Sequence, residues 1–185
     1  MGKIKVWTKQ NKKVLEELEK NGRHIVKKEY INMDLKEQAG LVLETYDWLV
    51  RNGPHSDEKP EDVIYPVWIS FEKNATMMND DNSVIIELEI DEDIITLVNI
   101  EKWGMILNYS YIPKDKEDEK RHKQILKDYG VGDAQAFMSR FYPDIKREIM
   151  ESWKRLFDDD VKSGSKACYG NIWEIKKEWI TDIIR

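Results

Sequence analysis

Val84-Ile85-Ile86-Glu87-Leu88-Glu89-Ile90 sets Val84, Ile86, Leu88 and Ile90 against Ile85, Glu87 and Glu89. Successive side chains of a strand point to opposite faces, so this period of two predicts a β-strand with one buried and one wet face. Such a strand needs neighbours. On its N-terminal side, Asn74 to Asn82 reads as a turn region, with Asn79-Asp80-Asp81-Asn82 at its end. Before that, Val63 to Phe71 is apolar and rich in β-formers. Pro66 cannot donate to a ladder, which places that strand at an edge or a bulge. On the C-terminal side, Ile94 to Val98 predicts a further short strand after an Asp-Glu-Asp turn. The chain opens with a strand over Lys3 to Trp7 and a helix running to Asn21, with Thr8 as its N-cap. Val14, Leu15 and Leu18 share one face of that helix, and Gly22 takes the C′ place. A strand over Arg23 to Lys27 follows.

The remaining segments read mostly as helices. Asp34-Leu35-Lys36-Glu37 has the form of a capping box, and Leu41, Val42, Thr45, Tyr46 and Leu49 follow at helical spacing until Gly53-Pro54. The polar stretch Gly53 to Asp62 is the expected mobile loop. Asn99 is a good N-cap for a helix carrying Ile100, Trp103, Ile106 and Leu107, closed by Pro113. The mixed charges of Lys114 to Lys127 predict a solvated helix face. Pro143 suits the first position of a helix whose buried stripe is Ile145, Ile149, Met150, Trp153, Leu156 and Phe157. Asp158-Asp159-Asp160 reads as a solvated turn ending it, and Ser163-Gly164-Ser165 as a loop. Asn171 to Ile184 alternates like a strand in its early part. Helices and strands without strict alternation predict an α+β fold, with a mixed or antiparallel sheet and packed helices. At 185 residues, one domain over 1–185 is expected.

Thirty basic and thirty-six acidic side chains give a net charge of −6, spread along the chain. Phosphate attraction needs a basic face, so non-specific nucleic-acid binding is not expected. Cys168 is the single cysteine, which fits a reducing compartment and reads as a small half-buried residue. The start of the chain lacks the apolar run of a signal peptide, and no apolar stretch is long enough to cross a bilayer. A cytoplasmic protein without a membrane partner is expected. Seven tryptophans, at positions 7, 48, 68, 103, 153, 173 and 179, read as core.

Neither a phosphate loop nor a dinucleotide fingerprint nor a nucleophile elbow occurs. His24, His55 and His122 show no i, i+4 pair, and no metal site is expected. His24 and His55 read as surface residues. Glu174 and Glu178 lie beside Trp173 and Trp179, where apolar surroundings can raise a carboxyl pKa, although a wet strand face is the simpler explanation of Glu174.

Several pieces occur in order along nearly the whole chain: Val6-Trp7-Thr8-Lys9-Gln10, Tyr65-Pro66-Val67-Trp68, Leu88-Glu89-Ile90-Asp91-Glu92-Asp93, Trp103, Leu107-Asn108-Tyr109, Ser152-Trp153-Lys154-Arg155-Leu156-Phe157 and Ile172-Trp173-Glu174-Ile175. Together they resemble the bacterial family labelled domain of unknown function 3841. The family pattern favours aspartate where Asn99 stands and histidine where Gly104 stands. The resemblance implies a compact intracellular bacterial protein and no particular activity. The opening strand–helix–strand unit is also similar to that of ADP-ribosyltransferase folds, with Trp7-Thr8 standing where those enzymes carry a His or Arg. That likeness implies NAD as cofactor, Thr8 bonding the ligand, Tyr46 and Trp68 stacking on a ring, and Glu174 orienting a ribose hydroxyl. Two functions are therefore expected in competition. One is a non-catalytic interaction or regulatory protein without a cofactor. The other is an ADP-ribosyltransferase-like enzyme that binds NAD or a nucleotide.

Overall fold

The structure, a computed structural model, describes residues 2–27, 39–76 and 81–184. The capping box at Asp34 to Glu37 lies outside the described residues, as do Asn79 and Asp80 of the predicted turn. The fold is α+β, and its ladders are antiparallel. The chain divides into two compact units: Met1–Leu97 with Cys168–Arg185, and Val98–Ala167.

In unit 1 the alternating segment forms β4 (Ser83–Asp91), the middle strand of three. It pairs with β1 (Lys3–Asn11) on one side and β8 (Ile180–Ile184) on the other. Val84, Ile86, Leu88 and Ile90 are all buried, and Val6 of β1 lies opposite Leu88. Val14 and Leu18 of α1 (Lys13–Asn21) join the same core. On the wet face, Glu87 ties the three strands together. It accepts from Lys5 Nζ at 2.8 Å, Trp7 Nε1 at 3.2 Å and Thr181 Oγ1 at 2.8 Å. The outer strand β8 carries Asp182, whose Oδ1 accepts from the Ile183 N–H at 2.8 Å. A charge at that edge disfavours further strand pairing.

Two expectations for the opening segment are corrected. Thr8 is not a helix cap. β1 runs on to Asn11, and Thr8 lies buried within it, paired to Ile86. The long ladder with β4 satisfies more backbone than a cap would, so the helix starts only at Lys13, whose N–H bonds Asn11 Oδ1 at 3.0 Å. Gly22 does close α1, with φ +71° and its N–H on Leu18 O at 3.0 Å. His24 is not on the surface. It lies in β2 (Arg23–His24), which pairs with β7 (Ile175–Lys176), and only 2% of it is exposed. Its Nδ1 is 2.8 Å from Glu17 Oε2. Burial pushes the imidazole pKa down, and the Glu17 carboxylate restores only part of that shift.

A second three-stranded sheet has the order β3 (Val67–Ile69), β6 (Cys168–Ile172), β5 (Thr96–Asn99). β3 stands at an edge, as Pro66 requires. β5 begins two residues later than predicted, because Glu92–Ile94 forms a 3-10 turn. α2 (Ala39–Asn52) ends at Gly53, whose N–H bonds Leu49 O at 2.9 Å. In β6, a Cβ added to Gly170 would stand 2.7 Å from both Ile69 Cγ1 and Ile95 Cγ2.

Unit 2 is helical: α3 (Ile100–Leu107), α4 (Lys116–Tyr129), α5 (Asp133–Met138) and α6 (Pro143–Ser152), which tightens into a 3-10 turn over Trp153–Phe157. Asn99 Oδ1 caps α3 through Lys102 N–H at 3.0 Å, and Pro143 begins α6. Ile145, Ile149, Trp153 and Leu156 are buried as the stripe predicts. Phe137 stacks between Tyr109 at 4.4 Å and Trp153 at 5.2 Å. Trp153 Nε1 donates to Ser110 O at 2.9 Å. Of the other tryptophans, Trp48 and Trp103 are buried, while Trp7, Trp68, Trp173 and Trp179 are half-buried.

Trp153→Ala removes a fully buried indole and is expected to cost about 3–5 kcal/mol in urea unfolding. Gly170→Ala forces two buried isoleucines aside and should cost about 1–3 kcal/mol. Gly104→Ala, in a helix with nothing within 4 Å, should instead be neutral or stabilising by up to ~1 kcal/mol. An equal cost at positions 104 and 170 would contradict the packing. His24 gives a pH dependence. Its folded pKa lies below the ordinary 6.5, so the unfolded chain binds the proton first as pH falls. The stability it contributes is full above about pH 6.5 and is lost as pH drops through the folded value. Urea midpoints measured between those limits should fall less in His24→Gln than in the natural chain.

Candidate functional site

Three of the four side chains singled out as a site meet in unit 1. Thr8 Oγ1 donates to Trp68 O at 2.8 Å and accepts from Gln10 Nε2 at 2.8 Å. The Tyr46 ring stands edge-on to Tyr65 at 5.7 Å and to Trp68 at 6.1 Å, and Trp68 stands edge-on to Tyr169 at 6.3 Å. Burial raises the Tyr46 phenol pKa, with a bond to Trp68 acting against it. Tyr65 Oη donates to Asp47 Oδ1 at 2.8 Å, and burial together with that carboxylate pushes its pKa up to about 12. These rings pack against one another as a wall between α2 and β3, and the Thr8 hydroxyl is spent on a backbone carbonyl.

Glu174 is placed elsewhere, between β6 and β7. Its Oε2 is 2.6 Å from Arg23 Nε, and its Oε1 is 3.7 Å from Lys176 Nζ. The far side of the Arg23 fork reaches Asp62 at 3.0 and 3.3 Å. Asn21, Gly22, Arg23, Glu174, Lys176 and Glu178 line an open cleft, and Thr8, Tyr46 and Trp68 are not among them. The cleft holds two cations and two carboxylates, and its arginine is committed on both sides. Arg23 gives the Glu174 carboxylate a partner, where the sequence pointed only to its tryptophan neighbours.

A dense polar cluster lies in unit 2, and sequence reasoning missed it. Asp118, in the first turn of α4, is buried. Its carboxylate accepts from Tyr111 Oη at 2.8 Å, Lys114 N–H at 3.0 Å, Arg121 Nη2 at 2.9 Å and Arg155 Nη1 at 2.8 Å. Burial alone would raise this carboxyl pKa. The donors outweigh it and hold the group well below the usual carboxylate range. One helical turn on, His122 is also buried and stacks on Tyr111 at 3.9 Å. Its Nε2 is 2.7 Å from Asp133 Oδ1 and its Nδ1 is 3.5 Å from Glu148 Oε1. Arg121 also bonds Glu148. The run Lys114 to Lys127 is therefore not only a solvated face: its i, i+4 pair Asp118 and His122 faces inward. A carboxylate saturated by four donors is a poor proton acceptor, and the cluster reads as a clamp joining α4, α5 and α6. Asp115, whose Oδ1 caps Asp118 N–H at 2.8 Å, was the one signal of this helix start in the sequence.

Asp118→Asn leaves Arg155 and Tyr111 facing a neutral amide, and the expected loss is about 3 kcal/mol, the low end for breaking a buried pair. The Asp118 contribution is present above pH ~4 and is lost as pH falls toward its depressed folded pKa. Acid unfolding should therefore move to higher pH in Asp118→Leu if the clamp holds unit 2. An unchanged acid midpoint would sink that role.

Beyond the clamp, unit 2 presents apolar side chains to solvent. Phe141 is 87% exposed, Tyr129 61% and Met138 59%. Ser139 Oγ accepts the Phe141 N–H at 3.1 Å and shapes the turn between α5 and α6. Tyr142, the next residue, meets Tyr129 edge-on at 6.0 Å.

No curated protein and no solved structure matches the chain. The family described as Domain of unknown function (DUF3841) matches residues 5–181. Asn99 is the N-cap of α3, a place that asparagine and aspartate fill alike. The match spans both compact units, and the chain belongs to the DUF3841 family.

Proposed function

We propose that the chain is a non-catalytic interaction or regulatory protein of the bacterial cytosol, and that it binds a protein partner through the aromatic turn of unit 2. The observation that carries this reading is Phe141, a large apolar side chain 87% exposed at a turn between two packed helices. Other exposed side chains lie near it in the chain or at the same turn: Met138 and Tyr129 are also more than half exposed, and exposed Arg140 precedes Phe141 in sequence. Exposed aromatics beside arginine are the side chains that dominate protein–protein binding energy. A rigid turn loses little entropy on docking, and here it is set between α5 and α6, whose packing rests on Phe137 and Trp153. The ionisable clusters support the same reading. Asp118 is saturated with donors, and Arg23 is committed to Glu174 and Asp62.

A photo-crosslinking residue placed at position 141 should trap a discrete protein in the producing cells. The same residue at Glu19, exposed in α1, should not. Phe141→Ala should abolish the interaction and leave the melting temperature within about 2 °C, as a surface change does. Identical crosslinks from both positions would contradict the proposal. On this reading NAD at millimolar concentration gives no melting shift. A shift that is lost in Glu174→Gln would favour the ADP-ribosyltransferase-like enzyme instead.

A further inference from the structure

We propose that the pocket walled by Trp173 in unit 1 is a binding site for a small, largely apolar molecule carrying one N–H or O–H donor. The pocket lies at the C-terminal end of α2, against β6. Its apolar walls are Leu49, Pro66, Ile172 and Trp173, and Thr96 and Asn171 bring the polar groups. Asn171 is only 4% exposed. Its Nδ2 donates to Gly170 O at 3.1 Å, which fixes the amide orientation. Its Oδ1 is buried and has no hydrogen-bond partner among the described residues. A buried acceptor left unsatisfied costs about 1–3 kcal/mol, and a donor brought by a ligand would recover that energy. Sites of this kind combine apolar walls with one or two convergent polar groups.

The Trp173 wall is tied to a surface segment. Trp173 is half-buried, and its Nε1 donates to His55 O at 2.9 Å. His55 belongs to the surface segment between Gly53 and the 3-10 turn Ser56–Glu58, the stretch read from sequence as a mobile loop. The Trp173 ring is thus latched by one hydrogen bond to a loop. As it stands the cavity measures about 10 Å³, room for one water at most. A ligand larger than water therefore enters by displacing the indole and breaking the His55 contact. Occupancy would move the Gly53–Glu58 segment, which gives a regulatory protein a place to sense a small molecule.

The test is an NMR titration of the full-length, 15N-labelled chain with phenol, and with toluene as a donor-free analogue of the same shape. Phenol should shift the Trp173 indole N–H and the Asn171 side-chain amide in a saturable way. Toluene should bind about tenfold more weakly, the difference made by one hydrogen bond. Asn171→Ala should remove the preference for phenol. The toluene comparison in the natural chain decides the matter even if that variant fails to fold. The absence of a saturable phenol shift at about 10 mM, a generous ceiling for a fragment of this size, would overturn the proposal. So would equal affinity for phenol and toluene. A long-lived water contact at Asn171 without a phenol shift would show a hydrated acceptor only, and would overturn it as well.

Discussion

The double pairing of β4 is the constraint on which unit 1 depends. Its buried face meets α1 and β3 side chains, and its two edges hold β1 from the start of the chain and β8 from the far end. Shifting either partner by one residue would turn Val84, Ile86, Leu88 and Ile90 toward water. Unit 1 therefore cannot close until the chain has passed through residues 98–167 and returned as β6, β7 and β8. The same return strands bring Glu174 beside Arg23 and place Asn171 and Trp173 against the end of α2. The cleft and the pocket both follow from that closure.

Unit 2 is held by a different interaction. Asp118 gathers donors from the segment before α4, from α4 itself and from the turn after α6, while His122 reaches Asp133 and Glu148. Buried charge of this kind is costly to break and fixes one arrangement of the helices. Its consequence for function is indirect. With α5 and α6 set, the turn between them is held at both ends, and Phe141 and Met138 stand exposed on it. A surface that the fold pays to leave uncovered is the surface on which binding is proposed.

Much of the fold was legible because its signals are local. The alternation of β4, the Asn99 cap, Gly22 at φ +71° and Pro143 at a helix start each follow from a few neighbouring residues. The larger misreadings involve distant partners. Thr8 has the chemistry of a cap, but β4 offers it a ladder from 78 positions away (Thr8 to Ile86). His24 is polar in sequence and buried in space because β7 arrives from the chain's far end. Asp118 and His122 sit among lysines and glutamates, and only Arg155 and Asp133 show which face turns inward. Of the residues singled out for the site, Thr8, Tyr46 and Trp68 lie together, while Glu174 pairs with Arg23. Asn171 had no sequence signal, since an unsatisfied acceptor exists only once its surroundings are built.

Hydroxyl-radical footprinting tests the central claim most directly, by comparing the purified chain with the chain inside the cells that produce it. Exposed methionine and aromatic side chains are oxidised readily, and a bound partner shields them. The account predicts strong labelling of Met138, Phe141 and Tyr129 in the purified protein and marked protection in cells, with exposed Leu97 and Ile64 labelled alike in both. Equal labelling of Met138 and Phe141 in the two settings, or protection confined to the residues around Glu174, would contradict it.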